Sequence, residues 1–193
     1  VNIAESVEVA EYSKDISRVR NKITIRGFAA RNEPADGDSW TESLDDWTSW
    51  QGIMYLDGSD KKVGDYAVYN LSDGAAHFWR TIASLRVDEG AKLIFWFYAL
   101  APRYTSGVVR LRTDADNYFE ADIPEGELGI GEWEQKIFSC GKAFQFDAAS
   151  NPTGIWRKVG VPSWYDITSV AFYVTSQGGL DVHVDGLLFS GLR

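Results

Sequence analysis

Val108-Val109-Arg110-Leu111-Arg112-Thr113-Asp114-Ala115-Asp116-Asn117-Tyr118-Phe119-Glu120-Ala121-Asp122-Ile123 decides the fold class. Successive strand side chains point to opposite faces, so Val109, Leu111, Phe119, Ala121 and Ile123 share one face. Arg110, Arg112, Tyr118, Glu120 and Asp122 share the other. The acids and Asn117 between the two runs are turn formers, and the stretch reads as a β-hairpin with an apolar side and a charged, aromatic side. A second hairpin is expected from Ser169–Thr175 and Leu180–Phe189, turning through Ser176-Gln177-Gly178-Gly179. There Val170, Phe172, Val174, Val182 and Val184 face inward, and Tyr173, His183 and Asp185 face outward.

The same two-residue period continues upstream. Short strands are expected over 51–56, 65–71, 77–82 and 92–100, each followed by a turn signal such as Asp57-Gly58-Ser59-Asp60 or Ser72-Asp73-Gly74. Leu93-Ile94-Phe95-Trp96-Phe97-Tyr98 is apolar on both faces, as in a central strand covered on both sides or one lining a groove. No segment carries a sustained 3.6-residue stripe. The spacing predicts an all-β protein, a β-sandwich over residues 40–193. Residues 1–39 read as a β-rich N-terminal extension and linker, with alternating runs at 6–10 and 22–26 and a cluster of turn formers and acids from Asn32 to Ser39.

Composition narrows the function. Nineteen Lys and Arg stand against 28 Asp and Glu, a formal charge of −9, which disfavours nucleic acid as a partner because there is no broad positive field for a phosphate backbone. No apolar run reaches the roughly 18 residues of a membrane span, so membrane insertion is not expected. A lone cysteine, Cys140, has no disulfide partner in the chain and reads as a structural thiol. Aromatic residues are abundant, with 8 Trp, 9 Tyr and 10 Phe, more than a small core requires. Those left outside are candidates for stacking on a ligand. Trp156 and Trp164 are expected to pack against the sheet rather than to form a clamp at a loop tip.

His77 and His183 have no zinc-type spacing and read as sheet residues. The glycines at 126–131 lack the helix and lysine of a phosphate loop. Asn70-Leu71-Ser72 fits a glycosylation triplet inside a strand. Glycoside hydrolysis needs two carboxylates across a cleft, and Glu120 with Glu134 or Asp122 is the best available pair.

The runs Leu44-Asp45-Asp46-Trp47, Leu56-Asp57, Asp60-Lys61-Lys62-Val63-Gly64-Asp65-Tyr66-Ala67-Val68, Phe95-Trp96-Phe97, Asp116-Asn117-Tyr118-Phe119 and His183-Val184-Asp185-Gly186-Leu187 resemble carbohydrate-binding modules and galactose-binding-like jelly rolls. The resemblance spans residues 40–193. It implies a structural calcium ion held by Asp45 (or Asp46), Asp60 and Asp185, because calcium takes six to eight oxygens. It also implies a glycan or polysaccharide partner on a concave sheet or at loop tips. Sugars offer apolar C–H faces to rings and hydroxyls to planar polar groups, and Trp96, Tyr98, Arg110, Arg112, Tyr118, Glu120 and Tyr173 supply both, provided that their faces belong to one sheet.

Residues 7–27 are similar to part of a phage tail-hub module, which implies an adhesion domain docked to neighbouring domains of a viral tail or extracellular assembly. The expected function is thus non-catalytic glycan binding, extracellular or on a virion surface. A structural or receptor-adhesion domain is the alternative, and a polysaccharide hydrolase or lyase the third.

Overall fold

A computed structural model describes residues 40–100, 104–123 and 132–192, with backbone alone at 104 and 105. The extension and linker at 1–39, the tail-hub-like run and the glycines at 126–131 lie outside the described residues.

Nine strands make an all-antiparallel β-sandwich: β1 Trp47–Gln51, β2 Ile53–Asp57, β3 Ala67–Leu85, β4 Lys92–Leu100, β5 Tyr104–Arg112, β6 Tyr118–Ile123, β7 Glu134–Ser139, β8 Arg157–Val159 and β9 Ile167–Ser190. Two of them, β3 and β9, are long enough to belong to both layers. Their outer lengths, 75–85 and 167–175, pair together and carry β1 on one side and β5, β6 and β8 on the other. Their remaining lengths, 68–73 and 179–190, pair together and carry β2, β4 and β7. The first set is called sheet I and the second sheet II. Phe95 of β4 meets Phe172 of β9 edge to face at 5.1 Å, which closes the core between the layers.

This arrangement corrects the second expected hairpin. Residues 169–175 and 180–189 do not pair with each other, because they are consecutive lengths of one strand that each pair with β3. The Ser176–Gly179 turn signal is a bulge. So is Ser72-Asp73-Gly74, which was expected to end a strand and instead lies inside β3. The register shifts at both places at once, with Gly74 at φ 91° and Gly178 at φ 119°, where a side chain would be strained. Glycine-rich turn chemistry here bends two paired strands from one layer into the other. The expected strand at 51–56 is likewise broken into β1 and β2 at Gly52 (φ 90°), whose absent Cβ would lie 2.0 Å from Asn70 Oδ1.

The hairpin at 108–123 forms as read, with Val109↔Ala121 and Leu111↔Phe119 paired and buried. At its turn, Asp114 Oδ1 accepts hydrogen bonds from the backbone N–H groups of Asp116 and Asn117. Trp156 and Trp164 are buried, and Trp164 stacks on Phe119 at 3.9 Å. Burial pushes the Cys140 thiol up to about 12, which keeps it protonated and unreactive. Asn70 is fully buried, so its triplet is inaccessible in the folded protein.

Candidate functional site

Register places a polar and aromatic surface on the outer face of sheet I. One row of partners runs Thr48, Trp79, Ala171, Arg110, Glu120 and Arg157 across β1, β3, β9, β5, β6 and β8. A neighbouring row runs His77, Tyr173, Val108 and Asp122, and another Thr81, Ser169, Arg112 and Tyr118. Alternation on each strand sends the apolar partners Phe78, Val109, Leu111, Phe119, Val170 and Phe172 into the core, and this projects the polar set outward.

Five of the seven expected ligand residues meet on this face: Arg110, Arg112, Tyr118, Glu120 and Tyr173. The Arg110 guanidinium lies 3.8 Å from the Tyr173 ring centre and 4.3 Å from that of Tyr118, sandwiched between them. Its Nε donates to Glu120 Oε2 at 2.5 Å. Arg157 donates to Glu120 Oε1 at 2.9 Å and forks onto both oxygens of Asp122 at 2.6 and 2.7 Å. These bonds hold the Asp122 carboxyl below the usual carboxylate range. Two cations and two anions are fixed in one network.

Trp96 and Tyr98 lie elsewhere, on the outer face of sheet II. There the register aligns Tyr55, Tyr69, His183 and Tyr98 across β2, β3, β9 and β4. His183 stacks on Tyr69 at 4.4 Å and meets Tyr98 edge to face at 5.1 Å, while Trp133 covers Tyr98 at 5.6 Å. His183 was expected to point to solvent. It does leave the core, but these rings and Asp57 Oδ2, 3.3 Å from its Nε2, bury it. The seven residues therefore do not share one sheet, since inward and outward follow from alternation while sheet membership depends on the misread bulges.

The three positions expected to hold calcium lie in different local settings. Asp185 is fully buried, and its oxygens accept from Thr41 Oγ1, Gly186 N, Lys62 N and Val63 N. Asp60 accepts from Trp133 Nε1, and Asp45 is exposed. No group of three or more carboxylate, histidine or cysteine side chains is placed to hold an ion among the described residues. Asp185 and Asp60 are each engaged by local donors, whereas the Asp45 side chain lies open.

Three residues of the sheet I face went unread. Trp50 is 76% exposed, the most open tryptophan among the described residues, turned out by the bulge between Ser49 and Gln51. It sits 5.4 Å from His77, which packs on Tyr173 at 3.6 Å and on Trp79 at 5.6 Å. His77 and Trp79 alternate with Ala76 and Phe78, the signal that could have placed them outward.

His77 is 9% exposed, and burial, with Arg110 and Arg112 nearby, lowers its pKa from 6.5 to about 4. The unfolded chain therefore takes up a proton below about pH 6.5 that the folded chain refuses until about 4. Stability contributed by the neutral ring is complete above that window and lost as pH falls through it, on the order of 3 kcal/mol at most. Denaturant titrations between pH 7 and 4 should show this decline in the native protein and a shallower one in His77→Gln. Parallel curves would assign the decline to other groups.

No family model and no curated protein matches the sequence. Solved structures do match the fold. An exo-β-agarase aligns with a TM-score of 0.59 at 8% identity over 79% of this chain, which spans only about a quarter (24%) of that enzyme. The family 11 carbohydrate-binding module of the cellulosomal cellulase Lic26A-Cel5E of Clostridium thermocellum aligns with a TM-score of 0.52 at 13% identity, over 78% of this chain and 90% of the module. The family 11 module from Clostridium thermocellum in complex with a β-1,3-1,4-mixed-linked tetrasaccharide aligns with a TM-score of 0.53 at 12% identity, over 78% and 91%. The fold is a β-sandwich like those of these structures. At such identities the likeness reaches the fold and stops there.

Proposed function

We propose that this chain is a non-catalytic glycan-binding module whose ligand lies on the outer face of sheet I. The carrying observation is one continuous face, on which the exposed Trp50 ring packs on His77, His77 on Tyr173, and Tyr173 on Arg110 of the fixed Arg110–Glu120–Arg157–Asp122 network. A ring open on one side suits the C–H face of a pyranose, and planar guanidinium and carboxylate groups suit its paired hydroxyls. Because the network is held by its own ion pairs and by two tyrosines, little side-chain entropy remains to be lost on binding. Kinship of fold with the family 11 modules supports the same reading.

The best hydrolytic pair argues against turnover. Both Glu120 and Asp122 are ion-paired to Arg157, and Glu134 accepts from Lys136 Nζ at 2.6 Å. A general acid must instead hold its proton near neutrality, in a desolvated or anion-rich setting. An extracellular or virion-surface setting accords with a glycan ligand.

Affinity electrophoresis and calorimetry against soluble polysaccharides test the proposal. Retardation by at least one glycan without release of reducing or unsaturated ends is expected. Absence of any interaction, or turnover of the bound glycan, would remove it.

A further inference from the structure

One guanidinium of the sheet I face stands outside its ion-pair network. Arg110 and Arg157 are matched by Glu120 and Asp122, but Arg112 has no carboxylate at ion-pair distance among the described residues. Its Nε reaches only the Asp114 carbonyl, at 3.3 Å; the Asp114 carboxylate is hydrogen-bonded by backbone N–H groups and Asn117 Nδ2, and feels the Arg112 charge from beyond ion-pair distance. The guanidinium carbon lies 5.4 Å from the centre of the Trp79 ring. Across β9 its partner is the small, buried Ser169 and beyond that the small, exposed Thr81.

A guanidinium beside an aromatic ring loses water when a ligand covers the ring. Neutral hydroxyls repay that loss weakly, whereas a carboxylate gives two parallel charge-assisted hydrogen bonds of about twice the strength. Elsewhere the chain is strongly acidic, with a formal charge of −9, so an anionic ligand is repelled by most of the molecule and attracted at this face. His77, held neutral close to Arg110 and Arg112, adds no compensating charge of either sign.

Resting on the glycan reading above, we infer that the sugar bound here carries a carboxylate, as in a hexuronate residue, and that Arg112 receives it while Trp79 and Trp50 take the ring faces. Arg112 is then the residue that sets specificity, with Arg110 and Arg157 as the fixed frame beside it.

The test uses paired polymers that share a backbone and differ in charge: polygalacturonate against its methyl ester, alginate against β-mannan, and C6-oxidised cellulose against cellodextrin. Dextran sulfate against dextran separates carboxylate from sulfate. The native chain should bind the carboxylated member of one pair about tenfold more tightly than its neutral counterpart, with the preference shrinking as salt is raised. Arg112→Gln should reduce that binding to the neutral level at an unchanged melting temperature, and Arg112→Lys should restore part of it. Equal binding of neutral and carboxylated members, or an equal loss on both in Arg112→Gln, would overturn the inference and leave glycan binding standing. A preference confined to the sulfated polymer would overturn the carboxylate assignment. Binding to none of the polymers would sink the glycan reading itself.

Discussion

Trp50→Ala weakens glycan binding by about 30-fold while the melting temperature stays where it was. The two halves of that result have separate causes. Trp50 is 76% exposed on the edge strand β1, so its removal creates no cavity and changes stability by no more than about 0.5 kcal/mol. In a complex the same ring becomes a large covered surface, and aromatic anchors of that kind carry about 2 kcal/mol, or roughly 30-fold in affinity. Trp133→Ala, which removes a ring from the sheet II cluster, is the matched control and should leave affinity unchanged. Calorimetry on the purified variants gives both numbers. A Trp50→Ala protein that binds as well as the native chain would place the ligand elsewhere.

Asp185→Ala has the opposite signature, a large loss of stability that reaches binding only through the fold. Its buried carboxylate gathers Thr41, the Lys62 and Val63 N–H groups and the Gly186 N–H, and so pins both the strand entry at Thr41 and the loop before β3 onto β9. Truncation leaves Lys62 and Val63 donors without their acceptor inside the protein. Each such group costs about 1–3 kcal/mol, for a total of about 3–5 kcal/mol. In a domain of this length that corresponds to a fall of roughly 10 °C in melting temperature. Chemical denaturation should show the loss at unchanged slope. A change under about 1 kcal/mol would mean that the loop finds other acceptors or water on release.

The contrast between Trp50 and Asp185 also marks what a sequence makes legible. Period-two alternation is local, so the inner and outer faces of β5, β6 and β4 could be read directly, and with them the outward Arg110, Arg112, Tyr118 and Glu120. Sheet membership is not local. Gly74 and Gly178 carry the same signal whether a strand ends or bends, and only the partner strand distinguishes them. Reading both as turns cut β3 and β9 in half, hid the row through His77 and Trp79, and placed Trp96 and Tyr98 beside residues that belong to the other layer. Asp185 was legible as outward from the core but not as covered, since the loop that covers it comes from more than 120 positions away. Trp50 was lost because a bulge breaks the alternation at that residue.

The most direct test is a titration of the indole N–H signals of the eight tryptophans by two-dimensional NMR with a bound oligosaccharide. Trp50 and Trp79 should shift together and saturate with the calorimetric affinity, while Trp96 and Trp133 stay in place. Saturable shifts confined to Trp96 and Trp133, with Trp50 and Trp79 unmoved, would contradict a site on sheet I.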